Sequence, residues 1–241
     1  MKILFLINTV TSYQNNFYNE LSKREKIKVI VLNKNYKNYN FKISENFYEF
    51  IEEEYDKKNK IKNIIDNFGP SSIIFGGYRL KYIFFIKKII QNKNIKVYYW
   101  LERFDISKSM KISILNLLFK RLLSKSHGIL AIGQEAKNFY KRYNKNVINL
   151  PYSIKYSKKI KKIKFKNKKI RFLFVGQLIY RKGIDLIINL LKKNQYQNFE
   201  IKIVGEGIYS KEILNLSKKN KNIAYFKFQN LTKLKKIYLN S

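Results

Sequence analysis

The sequence lacks cysteine and has little histidine, proline or glycine. Among 241 residues there is no Cys, one His, two Pro and nine Gly. The absence of cysteine excludes disulfides, cysteine-ligated zinc and a cysteine nucleophile, and favours a cytoplasmic protein. The single histidine, His127, excludes multi-histidine metal sites and most histidine-based catalysis. Because His127 precedes a predicted strand, we predict a structural role for it.

Acidic residues are also few, so the chain is strongly basic. It has 51 Lys and Arg against 16 Asp and Glu, a formal net charge of +35. Hydrophobic residues make up 45% of the sequence, which is enough for a packed core and excludes global disorder. Part of the lysine excess follows a general bias toward Lys, Asn, Ile and Tyr. The rest predicts attraction to anionic surfaces such as lipid or nucleic acid.

Long apolar runs are missing as well. The N-terminal run at 3–7 is shorter than the apolar region of a signal peptide. The apolar stretches at 82–86 and 112–119 are too short or too charged to cross about 30 Å of hydrocarbon. We therefore expect neither a signal peptide nor a membrane-spanning helix.

Apolar runs of strand length alternate with helical patterns along most of the chain. This alternation predicts α/β architecture with doubly wound parallel sheets. It stops at Pro151, is interrupted by a lysine-rich stretch, and restarts at Ile170. We predict an N-terminal Rossmann-like domain at 1–153, a linker at 154–169, and a partial Rossmann-like domain at 170–241. The stretch 36–55 carries no clear pattern.

Two strand ends in the second domain carry glycine. One predicted strand runs into Gly176 and Gln177, and Arg181-Lys182-Gly183 then opens a helix. The next strand ends in Gly205-Glu206-Gly207. Glycine allows a ligand to approach the backbone, and a helix N-terminus with added basic residues suits a diphosphate. A plain turn between strand and helix is the alternative for each segment alone.

These segments resemble the motifs of GT-B glycosyltransferases of family 4, also called group 1. That family pairs Phe-Val-Gly-Arg-Leu and a following Lys-Gly with a Val-Gly-Asp-Gly turn. The sequence has Phe174-Val175-Gly176-Gln177-Leu178, Arg181-Lys182-Gly183 and Val204-Gly205-Glu206-Gly207. Further similar segments lie in the first domain, at 72–78, 97–102, 129–136 and 150–153.

The resemblance implies sugar transfer from a nucleotide sugar to a glycan or lipid-linked acceptor, with retention of configuration. It implies neither a cofactor nor an obligatory metal. Donor-binding residues would be Gly176, Gln177, Arg181, Lys182, Gly205, Glu206 and Gly207. Glu102 would face the acceptor as the candidate catalytic residue, or be an ordinary surface carboxylate. Tyr13, Asn15 and Gly77 are candidates for the acceptor side, although capping and packing would also explain the first two.

Two departures from the family pattern affect these expectations. Gln177 stands where the family has a phosphate-binding Arg, and Arg181 is expected to supply the missing charge. The family's later Glu-x7-Glu helix has no counterpart before Ser241. We expect a fragment, a frameshifted product or part of a split enzyme. A non-catalytic remnant and, more remotely, a basic nucleic-acid-binding protein remain alternatives to a bacterial surface-polysaccharide or lipopolysaccharide transferase.

The predicted helix at 107–125 is amphipathic. Ile112, Leu115, Phe119 and Leu122 form an apolar stripe, flanked by lysines and Arg121. Such a helix suits an anionic membrane surface, which would make the protein peripheral on the inner face of the cytoplasmic membrane. The alternative is that the stripe packs against the sheet.

Overall fold

The computed structural model describes residues 1–32, 46–51, 56–77, 80–103, 110–153, 170–193, 199–239 and 241. The chain divides into two compact units, Met1–Ser157 and Lys158–Ser241. We call them the N-terminal unit and the C-terminal unit and describe each by itself.

Strands and helices alternate along most of the described chain, as expected for strand–helix–strand repeats, although the strand Tyr48–Phe50 follows the strand Lys26–Val31 without a described helix between them. The strands are β1 Lys2–Ile7, β2 Lys26–Val31, β3 Tyr48–Phe50, β4 Ser72–Gly76, β5 Lys96–Leu101, β6 Gly128–Ala131, β7 Val147–Asn149, β8 Ile170–Val175, β9 Phe199–Val204 and β10 Ile223–Phe226. The helices are α1 Ser12–Ser22, α2 Lys57–Phe68, α3 Leu80–Ile90, α4 Met110–Ser124, α5 Gln134–Tyr140, α6 Ile184–Lys192, α7 Ser210–Lys219 and α8 Leu231–Leu239.

The N-terminal unit is built on a seven-stranded sheet in the order β3-β2-β1-β4-β5-β6-β7. Every neighbouring pair is parallel. The strand order reverses between β1 and β4, whose ends Ile7 and Gly76 are in register. In open parallel sheets, ligands bind beyond the carboxyl ends of strands at such a reversal.

Helices cover both faces of this sheet, which explains its uninterrupted apolar strands. On one face, α2, α3 and α4 pack on side chains such as Leu4, Leu6 and Phe75. On the other face, α1 packs Tyr18 against Phe5 and Trp100. All side chains of β1 after Lys2 are consequently buried.

The C-terminal unit has a three-stranded parallel sheet in the order β10-β9-β8. Its core joins α6 and α7 to the middle strand through Ile188, Ile203 and Ile213. Among the residues described, β8 is an edge strand, paired with β9 alone.

The predicted fold class is confirmed: both units are Rossmann-like, and within the described residues the second has fewer strands than the first. The sequence did not predict β3, which lies in the stretch without a clear pattern. Of that stretch, residues 36–45 and 52–55 lie outside the described residues, as does the predicted linker at 154–169. The predicted boundaries at 153 and 170 therefore stay predictions.

Candidate functional site

A pocket of about 210 Å³ opens at the carboxyl ends of the central strands of the N-terminal unit. It lies where the strand order reverses, between the end of β1 and the start of α1. Its lining comprises Ile7, Asn8, Thr9, Thr11, Tyr13, Gln14, Gly76, Gly77, Trp100, Leu101, Glu102, Ile132 and Tyr152. Of the predicted residues, Tyr13, Gly77 and Glu102 are brought together here.

Three aromatic side chains form one wall of this pocket. The ring centroid of Tyr152 lies 4.6 Å from that of Tyr13 and 5.4 Å from that of Trp100. The indole Nε1 of Trp100 donates a hydrogen bond of 3.0 Å to the carbonyl oxygen of Leu150. This bond orients the indole, so the wall is held by packing together with a hydrogen bond.

The start of α1 is fixed by a capping box beside the pocket. The backbone N–H of Thr11 donates to Oε1 of Gln14 at 3.1 Å, and the Gln14 N–H donates back to the Thr11 hydroxyl at 3.4 Å. This reciprocal arrangement satisfies two backbone donors at the helix end. It also places Tyr13 at the pocket mouth, in the first turn of α1.

Gly77 takes a backbone conformation that few other residues adopt. Its φ is +122°, and a Cβ there would lie 2.8 Å from Nδ2 of Asn8. A side chain at this position would therefore be strained and would crowd the end of β1. Gly77 thus keeps the ends of β1 and β4 close together at the pocket.

The other two predicted N-terminal residues differ in their surroundings. Glu102 is exposed just after β5, and its backbone carbonyl accepts a 2.6 Å hydrogen bond from the Tyr140 hydroxyl. Asn15 is buried, accepts a 2.9 Å hydrogen bond from the Tyr48 hydroxyl, and is not part of the pocket lining. These contacts are those of a side chain that packs inside the unit, which is the alternative to a role on the acceptor side.

A second pocket, of about 350 Å³, lies at the carboxyl ends of β8 and β9 in the C-terminal unit. Four of the predicted donor-binding residues line it: Gly176, Gln177, Gly205 and Glu206. The rest of the lining comprises Val175, Val204, Phe228, Gln229 and Leu234. The two glycine-containing segments therefore meet in one site, as their positions after neighbouring strands predict.

The two glycine segments pack on each other through their backbones. A Cβ on Gly205, whose φ is +146°, would lie 1.9 Å from the carbonyl oxygen of Gly176. A Cβ on Gly207 would lie 2.3 Å from the carbonyl oxygen of Leu178. The Leu178 N–H also donates to the Glu206 carbonyl at 3.0 Å. Glycine is thus required here for contact between the loops, whatever ligand approaches them.

Arg181 and Lys182 lie outside the lining of this second pocket. Both are exposed in a short 3-10 turn, Tyr180–Lys182, that leads to the start of α6. Gly183, with φ +71°, then begins the helix without a side-chain cap. The free N–H groups of α6 and the two cations lie at the same helix end, which favours anions there.

Several pocket residues were not predicted from the sequence. Gln14 and Tyr152 line the N-terminal pocket, and Phe228 and Gln229 line the C-terminal one. Tyr152 had no local signal, because only the fold brings it to Tyr13.

Two kinds of feature are absent from the described part of the chain. No group of three or more His, Asp or Glu side chains is placed to hold a metal ion there. None of the described helices is both long enough and apolar enough for a membrane span.

Comparison with known proteins gives a partial family match and a fold match. Residues 155–241 match the family described as glycosyl transferases group 1. No curated protein matches the chain in sequence.

Solved structures match nearly the whole chain at low identity. The lipopolysaccharide outer core galactosyltransferase WaaB superposes with a TM-score of 0.64 at 13% identity, over 97% of this chain and 70% of WaaB. HepE of Anabaena in complex with UDP gives 0.62 at 11% identity, over 95% and 70%. The UDP-N-acetylglucosamine 2-epimerase from Rickettsia bellii gives 0.55 at 14% identity, over 97% and 71%.

The resemblance stated from the sequence is thereby confirmed. At such low identity the solved structures show the fold alone, and the family match applies to residues 155–241. Residues 155–241 thus resemble the glycosyl transferases of group 1, and the chain as a whole has the GT-B fold.

Proposed function

We propose that the protein transfers a hexosyl or related sugar from a nucleotide sugar to a glycan or lipid-linked acceptor, with retention of configuration. The single observation that carries the proposal is the site of the two glycine segments, at the ends of β8 and β9 within the matched residues 155–241. A role in bacterial lipopolysaccharide or surface-polysaccharide synthesis is supported by the similarity in fold to WaaB, a lipopolysaccharide outer core galactosyltransferase.

The donor binds in the C-terminal unit. Gly176, Gln177, Gly205 and Glu206 contact the nucleotide from the loops that line the pocket. Arg181 and Lys182, with the N-terminus of α6, stabilise the negative charge that develops on the leaving diphosphate. UDP is a reasonable first probe, since HepE was crystallised with it.

The acceptor binds in the N-terminal pocket. Its aromatic wall offers flat apolar surface, and the edge of the pocket offers Glu102 and Asn8 as hydrogen-bonding groups. Glu102 accepts a hydrogen bond from an acceptor hydroxyl and orients it for transfer. No metal and no cofactor takes part in this scheme.

Membrane attachment through 107–125 also belongs to the proposal, with fewer apolar residues of the predicted stripe available for it. Phe119 and Leu122 are buried in the core of the N-terminal unit, so the packing alternative accounts for these two stripe residues. Leu117 and Leu118 are exposed and lie beside Lys120 and Arg121. Residues 107–109 and the side chains of 110–116 lie outside the described part of the structure.

The donor assignment is tested by calorimetric titration of the full chain with UDP and with GDP. Lys182→Ala should weaken nucleotide-diphosphate binding about tenfold, because a charged contact to phosphate contributes about 1.5–3 kcal/mol. The matched control is Lys193→Ala, which removes an exposed lysine at the opposite end of α6. Equal affinity of the two variants would refute the role of Lys182.

A transfer assay separates enzyme from non-catalytic remnant. The chain is incubated with labelled nucleotide sugars and lipid or glycan extracts, and release of free nucleoside diphosphate is followed. Acceptor-dependent release that is lost in Glu102→Gln supports transfer. Nucleotide binding without any release would support the remnant, and binding of nucleic acid in preference to nucleotide would support the third alternative.

A further inference from the structure

A large groove lies between α2 and α3 of the N-terminal unit, apart from the pocket at the strand ends of that unit. Its volume is about 830 Å³, and it shares no lining residue with the pocket at the strand ends. The lining comprises Lys58, Lys62, Asp66, Lys81, Phe84, Phe85, Lys88, Ile89 and Lys93. We call it the α2–α3 groove.

The rim of the α2–α3 groove is strongly basic. Five of its lining residues are lysines, and its one acidic residue, Asp66, is already paired with Lys93. The remaining lysines lie in two rows: Lys58 and Lys62 one turn apart on α2, and Lys81 and Lys88 two turns apart on α3. The groove therefore attracts anions from both sides.

Positive charge continues from this groove to the end of α4. Burial lowers the pKa of Lys87 on α3, and the nearby charge of Lys125, just after α4, lowers it further. The three helices α2, α3 and α4 cover the same face of the sheet. The basic rim is thus part of a broad basic surface on the helical layer.

The floor of the groove is apolar. Phe84 remains 44% exposed although it sits in the middle of a helix. Phe85 and Ile89 are half-buried beside it, and Nζ of Lys58 lies 5.4 Å from the centroid of the Phe85 ring. An exposed phenylalanine flanked by lysines suits a partner that is both anionic and apolar.

We propose that the α2–α3 groove is a docking surface for an anionic lipid bilayer. The lysines contact the phosphate headgroups, and Phe84 enters the boundary between headgroups and acyl chains. A soluble polyanion such as nucleic acid would satisfy the lysines and leave the apolar floor unused. The inference rests on the groove alone and holds whether or not the proposed sugar transfer occurs.

The test is binding of the full chain to phosphatidylcholine vesicles with and without phosphatidylglycerol. The wild type should bind only the anionic vesicles and should be released by high salt. Lys81→Glu with Lys88→Glu should lower the partition coefficient by at least roughly 25-fold, since each lysine near such a surface contributes about fivefold. Both lysines are exposed, so circular dichroism should show an unchanged fold.

Two further double variants carry the same change of charge: the first is the control for net charge, and the second compares the groove with α4. Lys218→Glu with Lys219→Glu alters exposed lysines at the end of α7 in the C-terminal unit. Lys120→Glu with Arg121→Glu alters the α4 surface discussed above. Equal losses in all three variants would mean that net charge alone drives binding. A loss confined to the α4 variant would place the contact there; either result overturns the proposal.

A further variant separates lipid from soluble polyanion. Phe84→Ser should weaken vesicle binding about tenfold and leave binding of a single-stranded oligonucleotide unchanged. If Phe84→Ser binds vesicles like the wild type, or weakens the binding of both ligands equally, the groove does not recognise a bilayer. The proposal is then wrong.

Discussion

The first strands of the two units have similar apolar sequences and very different surroundings. In β1, five of six residues are buried, whereas none of the six residues of β8 is fully buried. β1 lies between β2 and β4, while β8 pairs with β9 alone among the described residues. Phe172 of β8 is 51% exposed as a result. Burial of such a strand therefore depends on its neighbours as much as on its own sequence.

This difference leaves an apolar pocket beside β8. About 440 Å³ in volume, it is lined by Phe172, Leu173, Phe174, Ile187, Leu190, Leu191, Phe199 and Ile201. Apolar surface that stays in contact with water contributes little to stability. We therefore expect the C-terminal unit to be the less stable of the two, so that damage to its contacts has a large effect.

The largest expected effect comes from Gly205→Ala. The positive φ and the close Gly176 carbonyl oxygen both oppose a Cβ, so the C-terminal unit should lose about 3 kcal/mol or more. Gly176→Ala is the control, because a Cβ there meets nothing nearer than the Phe174 ring at 3.8 Å. The loss of stability in each variant is measured by urea unfolding, with hydrogen exchange at β8 and β9 as the probe. Similar losses in the two variants would contradict the packing of the loops.

The next prediction concerns how the stability of each unit depends on pH. Burial raises the pKa of the Tyr18 and Tyr99 hydroxyls, which have no hydrogen-bond partner among the described residues. Above the ordinary tyrosine pKa of about 10, these groups ionise in the unfolded chain and stay protonated in the folded one. The N-terminal unit should therefore lose stability as the pH rises above 10, by about 1.4 kcal/mol per pH unit for each tyrosine.

The measurement for this prediction is urea unfolding between pH 9 and pH 11, reported separately for the two units. Tyr18→Phe with Tyr99→Phe should remove most of the pH dependence of the N-terminal unit, with little loss of stability at pH 8. Tyr180→Phe, which changes an exposed residue of the C-terminal unit, is the control. An unchanged slope in the double variant would show that other groups cause the alkaline loss.

The smallest effect concerns the wall of the N-terminal pocket. Trp100→Phe removes the hydrogen bond to Leu150 and some packing, and should cost about 1–2 kcal/mol. Because Trp100 is the only tryptophan, its fluorescence in the wild type also reports on the pocket. Phe17→Leu, which alters a ring 5.0 Å from the indole without touching the hydrogen bond, is the comparison. A free energy of unfolding equal to that of the wild type would show that this bond is not formed.

Most of the fold could be predicted, because strands buried on both faces appear in the sequence as short apolar runs. β3 could not be predicted in this way, because its three residues, Tyr48–Phe50, are only half-buried. They form a strand by pairing with β2. The amphipathic pattern correctly predicted that α4 is a helix. The pattern could not show that Phe119 and Leu122 face the core while Leu118 stays exposed, because periodicity does not identify what each side of a helix contacts.

The candidate site was only partly predictable for a related reason. Glycines that end neighbouring strands meet by the rules of parallel sheets, and Gly176 and Gly205 do so. The wall formed by Tyr13 and Tyr152 depends on tertiary packing that no local pattern reveals. Asn15 looked like Tyr13 in the sequence, yet it lies two positions further along α1 and contacts Tyr48 instead.

The central claim is that the glycine segments of the C-terminal unit bind a nucleoside diphosphate. Hydrogen exchange of the full chain with and without UDP or GDP tests it most directly. We predict slower exchange at 176–178, 183–186 and 205–207, with the N-terminal pocket and the α2–α3 groove unchanged. Unchanged exchange at these loops, or protection confined to the lysine-rich α2–α3 groove, would contradict the claim.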